Sequence, residues 1–288
     1  MRPWVVTFLD GLLFAGAGEA LAPTYLGMLC LAMLVGAAIG LRLGRMIGVD
    51  RRRAAGALLG AWLGALLGGR LLTVLVYIPE AFASGDLFRL VTRGGFAAYG
   101  GFLGGALGAY LALGRRDFLA FGDVMSPALG FGTMLTRIGC FLAGCDYGTP
   151  TASSLGVRFP PGSLAFGAHL RLGWVGPSSP SSLPVHPTEL YESLLGLVIG
   201  ALSLGLFLLA PRLRGRGFLF LGAAGLYAIG RFAIEALRGD ADRGILLGLS
   251  TSQIVSVLLL LAIVTYVALR GSRGGASGAP AQGDMPLP

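Results

Sequence analysis

Repeated apolar runs of about 20 residues, the length needed to cross a bilayer's hydrocarbon core, constrain this chain more than any other feature. In lipid, backbone N–H and C=O groups must find partners within their own segment, so a crossing run folds as a helix. Seven candidate helices lie near 25–43, 56–78, 95–114, 121–143, 188–210, 217–237 and 251–269. Of 288 residues, 55% are hydrophobic and 12% charged, with mean hydropathy +0.77, which leaves no soluble domain once these runs are removed. The fold class expected is an all-α membrane protein of about seven transmembrane helices. One polytopic domain would cover 1–270, with a small outward head inserted at 144–186 and a disordered cytoplasmic tail at 271–288. A cleavable leader is not expected: Arg2 is a thin positive region, and Asp10 and Glu19 interrupt the apolar stretch after it.

All 22 basic residues are arginine. Between the candidate helices, Arg42, Arg45, Arg51, Arg52 and Arg53 gather in the first connection. Arg115 and Arg116 lie in the third, Arg212, Arg214 and Arg216 in the fifth, and Arg270 and Arg273 follow the last helix. The other connections hold Arg89, Arg93, Arg158, Arg171, Arg238 and Arg243, spread through longer segments. The positive-inside rule then places the odd connections and the C-terminus in the cytoplasm and the N-terminus outside. The net charge of +8 belongs to these flanks, and no nucleic-acid-binding motif accompanies it. Glycine is abundant (49 residues), as close packing of membrane helices requires.

Against this background, ionisable residues inside the runs stand out. Tyr227, Arg231, Glu235 and Arg238 fall on one stripe of a helix. Arg137 interrupts TRIGCFLAGCDYG (Thr136–Gly148), with Cys140 and Gly144 following on its face. HPTELYES (His186–Ser193) sets Pro187 at a helix start and Glu189 and Glu192 one turn apart. TRGGFAAYGGFLGG (Thr92–Gly105) places Arg93 at its entry and Tyr99 between glycine pairs, and Arg70 sits alone in LGGRLLTVLVY. Charged groups at membrane depth persist where they pair, face a cavity or bind a ligand. Each site also has a structural reading. Arg70 can snorkel to an interface, Arg137 can pair with a glutamate on another helix, and Arg231 and Glu235 can form an intrahelical pair. Together, Arg70, Arg137 and Arg231 outnumber the acids on the same segments, chiefly Glu235. That excess invites an anionic guest, and in a membrane the obvious one is a phospholipid phosphate, which the planar guanidinium fork suits.

Cys30 reads as packing in an apolar helix. Cys140 and Cys145 are beyond disulfide reach if both are helical and within it if the helix ends at Gly144. With two thiols and only His169 and His186 to complete a set, no metal site is expected. No inverted repeat or matching pair of broken helices points to a transporter.

The order GGR…VY, RGGF…GG, RIG…G, HPTELYE and Y…GRF…E…R, followed by LSTSQ, resembles the prolipoprotein diacylglyceryl transferase family from about Tyr25 to Val257. The resemblance implies an enzyme that moves the diacylglyceryl group of phosphatidylglycerol onto the lipobox cysteine thiol of a pre-lipoprotein, forming a thioether and releasing glycerol phosphate. It implies no cofactor. Its partners would be phosphatidylglycerol, the pre-lipoprotein signal peptide and membrane lipids, at the bacterial inner membrane. Carried onto this chain, the resemblance makes Arg137, Arg231, Glu235 and Tyr99 the catalytic candidates. The substrate-binding candidates are Arg137, Tyr25, Arg70, Tyr227, Arg238, Gly100, Gly101, Gly144, His186 and Glu192. The family's usual HGG histidine is Tyr99 here, the amides after RIG are Cys140 and Ala143, and the acid after the glycine is Cys145. A tyrosine is a poor base at neutral pH, so Glu235 or His186 is an alternative base. A divergent phospholipid-binding protein without turnover is the alternative function.

Overall fold

A computed structural model describes residues 23–84, 98–239, 245–246 and 248–276. Arg89, Arg93 and Arg243, the side chain of Tyr99, and residues 277–288 of the expected tail lie outside the described residues. The elements are α1 (Pro23–Met46), α2 (Arg51–Ser84), α3 (Ala98–Ala143), α4 (Leu164–Arg171), α5 (Thr188–Leu209), a 3-10 turn (Pro211–Leu213), α6 (Phe218–Glu235), β1 (Ile245–Leu246), β2 (Leu249–Ser250) and α7 (Thr251–Ala276). The architecture is all-helical apart from the two-residue antiparallel pair β1–β2.

Among the described residues, six segments are long and apolar enough to cross a membrane: Tyr25–Met46, Arg51–Leu75, Asp117–Ala143, Thr188–Leu209, Phe218–Glu235 and Thr251–Arg270. The expected third and fourth helices are joined in α3, whose path turns at Gly114 (φ 76°, ψ 170°). That conformation suits glycine, which lacks the Cβ that would clash there. The described part before Gly114 is also a helix, and the expected third helix begins at residue 95, outside the described residues. Large side chains such as Leu67, Leu103, Leu111 and Leu209 stay exposed, because lipid rather than a protein core covers a membrane bundle.

Glycine seams set the register of the helices. A Cβ on Gly64 would lie 2.1 Å from the Gly104 carbonyl oxygen, and one on Gly108 would lie 1.9 Å from that of Gly60, so α2 and α3 touch backbone to backbone. Gly100 belongs to the same seam, 2.2 Å from the Gly68 oxygen by the same measure. A Cβ on Gly130 of α3 would meet Gly200 N at 2.3 Å, and one on Gly196 of α5 would meet Gly130 O at 2.7 Å. The Ser193 hydroxyl continues the α3–α5 seam by donating to the Met134 carbonyl at 3.1 Å. The pairs 130–200, 134–193 and 137–192 run in opposite chain directions, so α3 and α5 are antiparallel. On the next seam, Gly230 of α6 packs against Leu195 of α5.

One end of the bundle holds a cluster of Leu43, Ala54, Ala57, Leu58, Leu113, Phe121, Val124, Phe207 and Leu219. Here Asp123, fully buried on α3, accepts from the backbone N–H groups of Arg216 (2.9 Å), Gly217 (2.8 Å) and Phe220 (3.0 Å). These are the orphan donors of the α6 N-terminus, so the cap comes from another helix. At the other end, residues 144–187 fold over a second cluster of Tyr147, Phe159, Ala165 and Val185. Ser163 caps α4 by accepting from Phe166 N at 3.1 Å. Bridges of Val185 with Pro150 and Val157, and of Gly148 with Arg238, tie this segment to the chain on either side. α7 opens on a reciprocal cap in which Gln253 Oε1 accepts from Ser250 N at 3.0 Å and Ser250 Oγ accepts from Gln253 N at 3.2 Å.

The seams make a direct prediction. Gly130→Ala forces a methyl into the Gly200 backbone and is expected to cost about 1–3 kcal/mol, the usual range for overpacking. Gly132→Ala, two residues along the same helix and facing open space, is expected to be neutral or slightly stabilising. Thermal unfolding of the two variants in detergent micelles measures the difference; equal unfolding temperatures would rule out the close approach at Gly130.

Candidate active site

Three helix ends meet beside residues 144–148. α3 delivers Arg137 near its C-terminal end, α5 delivers Glu192 from its second turn, and α6 delivers Tyr227, Arg231 and Glu235, with Arg238 just beyond. The Gly130–Gly196 seam brings Arg137 to Glu192, since each lies further along its helix toward the same end.

The charges form a continuous network. Arg137 Nη1 lies 2.5 Å from Asp146 Oδ2, and its Nη2 lies 3.0 Å from Glu192 Oε1. The other Glu192 oxygen is 3.6 Å from Arg231 Nη1, and Arg231 Nη2 is 2.8 Å from Glu235 Oε2. Arg238 closes on the second oxygen of Asp146. The Tyr227 hydroxyl donates to Glu192 Oε1 at 2.7 Å, and Arg231 Nη2 reaches Ser252 Oγ of α7 at 3.3 Å. Glu192 is 2% exposed, Glu235 4% and Arg231 9%. Charges this buried are tolerable only when paired.

Asp146 enters the network through an unusual backbone. Its φ is +63°, the only positive φ on a non-glycine residue among the described residues. α3 ends just before, with Gly144 at φ +70° and Ala165 N donating to its carbonyl at 3.0 Å. Gly148 N donates to the His186 carbonyl and Gly239 N to the Tyr147 carbonyl. A Cβ on Gly239 would fall 2.4 Å from Gly148 O, so only two glycines permit this crossing. Thr188 Oγ1 donates to the Asp146 carbonyl at 2.7 Å and fixes the turn from the α5 side. Burial works against ionisation of Asp146, but Arg137 and Arg238 overcome it and hold the carboxyl below its ordinary range.

Thiols line the same turn. Cys140 and Cys145 are both free. Cys140 Sγ lies 3.5 Å from Asp146 Oδ2 and 3.8 Å from Arg137 Nη1. Its hydrogen bond to Cys140, its burial and the neighbouring acids push the Cys145 thiol well above the ordinary range, so it stays protonated. The two sulfurs and an Asp146 oxygen come within 4.8 Å of one another. A cation there would compete with the Arg137 and Arg238 guanidiniums for the same carboxylate.

The structure gathers Arg137, Glu192, Tyr227, Arg231, Glu235 and Arg238 into one network. Tyr25 stands beside it, packed on Gly139 with Cδ2 3.4 Å from an added Cβ there. Gly144 ends the helix that carries Arg137. His186 flanks the crossing through its backbone, and its Nδ1 lies 3.3 Å from the Tyr191 hydroxyl. Arg70 on α2 is not a member of these ion pairs, and Gly100 and Gly101 are buried on α3, with Gly100 in the α2–α3 seam. Of the three arginines in the expected excess, Arg137 and Arg231 have acid partners beyond Glu235. Asp146, Glu192 and Glu235 answer Arg137, Arg231 and Arg238, because acids from a loop and from another helix join those on the arginines' own segments. Reading the motif by position located an acid lost at Cys145. The carboxylate stands one residue later, and the left-handed turn swings it inward. Asp146 follows directly in CDYG, so its adjacency in sequence was the available signal.

A pH prediction follows from Asp146. Its folded carboxyl titrates below the ordinary value of 3.8. The unfolded chain therefore binds the proton first, and the stability gained is complete above that value and lost as pH falls through the lower folded one. Asp146→Asn is expected to lower the unfolding temperature by a few degrees at pH 7. The gap from the parent chain should close as pH drops below about 3.8. A gap that stays constant over pH 3–7 in detergent would exclude the carboxylate as its source.

Comparison with known proteins shows the family. The family model for prolipoprotein diacylglyceryl transferase matches residues 20–269. Phosphatidylglycerol–prolipoprotein diacylglyceryl transferase 2 of Clostridium perfringens is 32% identical over 240 residues, covering 82% of this chain and 84% of that protein. The Clostridium tetani phosphatidylglycerol–prolipoprotein diacylglyceryl transferase is 33% identical over 200 residues, 68% of this chain and 72% of its own length. That of Photorhabdus laumondii is 34% identical over 209 residues, 68% and 69%. With six apolar spans among the described residues and a match that runs from α1 into α7, this multi-pass bacterial membrane protein belongs to the prolipoprotein diacylglyceryl transferase family.

Proposed function

We propose that this protein transfers the diacylglyceryl group of phosphatidylglycerol to the lipobox cysteine thiol of a pre-lipoprotein, making a thioether and releasing glycerol phosphate. The carrying observation is that Arg137 and Arg238 already close on the two oxygens of one carboxylate, Asp146. Two guanidiniums aimed at one small anion are also the arrangement a phosphodiester requires. Asp146 bridges the two arginines with its side chain 30% exposed, so an incoming lipid phosphate can take its place. The same donors then meet the charge that grows on the phosphate oxygen as the glycerol carbon leaves it.

In this reading Arg137, Arg238 and Arg231 bind the phosphate. Glu192 holds Arg137 and Arg231 at a fixed spacing, Tyr227 fixes Glu192, and Glu235 holds Arg231 from the other side. Tyr25, Arg70, Gly100, Gly101 and Gly144 belong to the lipid-facing approach, and His186 to the peptide side beside residues 144–187. Tyr99 lies at the N-terminal end of α3. The family points to the inner membrane, and the arginine distribution favours the N-terminus and the 144–186 head outside and the C-terminus in the cytoplasm. Phosphatidylglycerol, the signal peptide and the lipobox cysteine would then meet at the outer leaflet.

The test is thioether formation on a lipobox peptide in vesicles containing phosphatidylglycerol. Arg137→Ala is expected to lower turnover about 100-fold or more, the effect of removing one preorganised donor. A folded, inserted parent chain that binds phosphatidylglycerol but never modifies the peptide would favour a non-catalytic lipid-binding protein instead.

A further inference from the structure

The network leaves one acid aside. Glu189, in the first turn of α5, is 1% exposed, and no other described residue donates to either of its carboxylate oxygens. It lies one turn before Glu192 on the same face, and its neighbour Thr188 is bonded to the Asp146 carbonyl. The charged groups acting on it include Asp146 on the 144–148 turn, Arg238 beyond α6 and Arg137 on α3. Cys145 on that turn also lies within its field.

Thiol attack on the lipid requires a proton acceptor. Guanidiniums do not accept protons. Asp146 is held by two arginines, Glu192 by two arginines and a tyrosine, and Glu235 by Arg231, so each already has its oxygens engaged by donors. Cys145 is a thiol. A carboxylate buried with no donor from another residue must take a proton or a ligand's donor to balance its desolvation. It also sits in the first turn of α5, where the positive end of the helix dipole lies beside it.

We propose that Glu189 is the general base that accepts the proton of the attacking cysteine thiol. The inference rests on the transferase reading above. The S–H proton passes to a Glu189 oxygen, and sulfur forms its bond to the glycerol carbon of the diacylglyceryl group. The C–O bond to phosphate breaks with its electron pair on the phosphate oxygen, and glycerol phosphate leaves between the arginines. The proton on Glu189 then moves to that phosphate, which restores the carboxylate and balances the reaction.

The experiment compares the parent chain with Glu189→Gln and Glu189→Asp, using phosphatidylglycerol vesicles and a lipobox peptide over a range of pH. Glu189→Gln keeps the shape and removes the base. Its kcat is expected to fall about 100-fold or more, the range for general-base catalysis. The KM for phosphatidylglycerol should stay within about threefold, and the acid limb of the kcat profile should disappear. Glu189→Asp should keep the limb at an intermediate rate. Three outcomes overturn the proposal while leaving the transferase reading intact: Glu189→Gln retaining the limb or most of its turnover, a loss confined to KM, or Glu189→Asp lacking the limb. A parent chain without transfer activity overturns both.

Discussion

The Arg137–Glu192–Arg231 contact is the constraint around which the site is organised. Three helices each bring a charge into a region where water is scarce, and none of these charges is tolerable alone. Glu192 is the shared partner: it takes Arg137 on one oxygen and Arg231 across the other, and Tyr227 adds a neutral donor. The low dielectric that makes an unpaired charge costly also makes each of these contacts directional. The pairing therefore fixes how α3, α5 and α6 lie at this end of the bundle.

Those contacts depend on backbone approach. Lipid offers the helices no hydrophobic drive to associate, so packing rests on close contact of small residues. The Gly130–Gly196–Gly200 seam removes the side chains that would hold α3 and α5 apart, and Arg137 and Glu192 follow in register. At the opposite end, Asp123 performs a comparable task by capping α6 from α3. One helix thus anchors its neighbour at both ends, by a carboxylate at one and a guanidinium network at the other.

The segment after α3 supplies a further degree of freedom. Asp146 is the carboxylate of the network that sits on a turn rather than a helix, and it is more exposed than its partners. A phosphodiester that replaces it would exchange one anion for another without leaving Arg137 or Arg238 unpaired. The arginine pair is thereby held in place without an uncompensated charge, and an anion binding there would have to compete with this carboxylate.

Much of this protein is legible from its residues alone. The apolar runs fixed the helix class because unsatisfied backbone is forbidden in lipid. The stripe Tyr227–Arg231–Glu235 identified the inward face of α6 because helical periodicity is local, and the motif order indicated the family. The sequence could not show that Arg137 would share Glu192 with Arg231, since those residues are separated by tens of positions and meet only through glycine seams. Nor could it show that Asp146 would answer two arginines, which depends on a left-handed turn held by Gly148, Gly239 and Thr188. Glu189 and Glu192 read alike in HPTELYE, one turn apart on one face. Only the tertiary structure separated them, because whether a buried carboxylate finds a donor is decided by what other helices bring beside it.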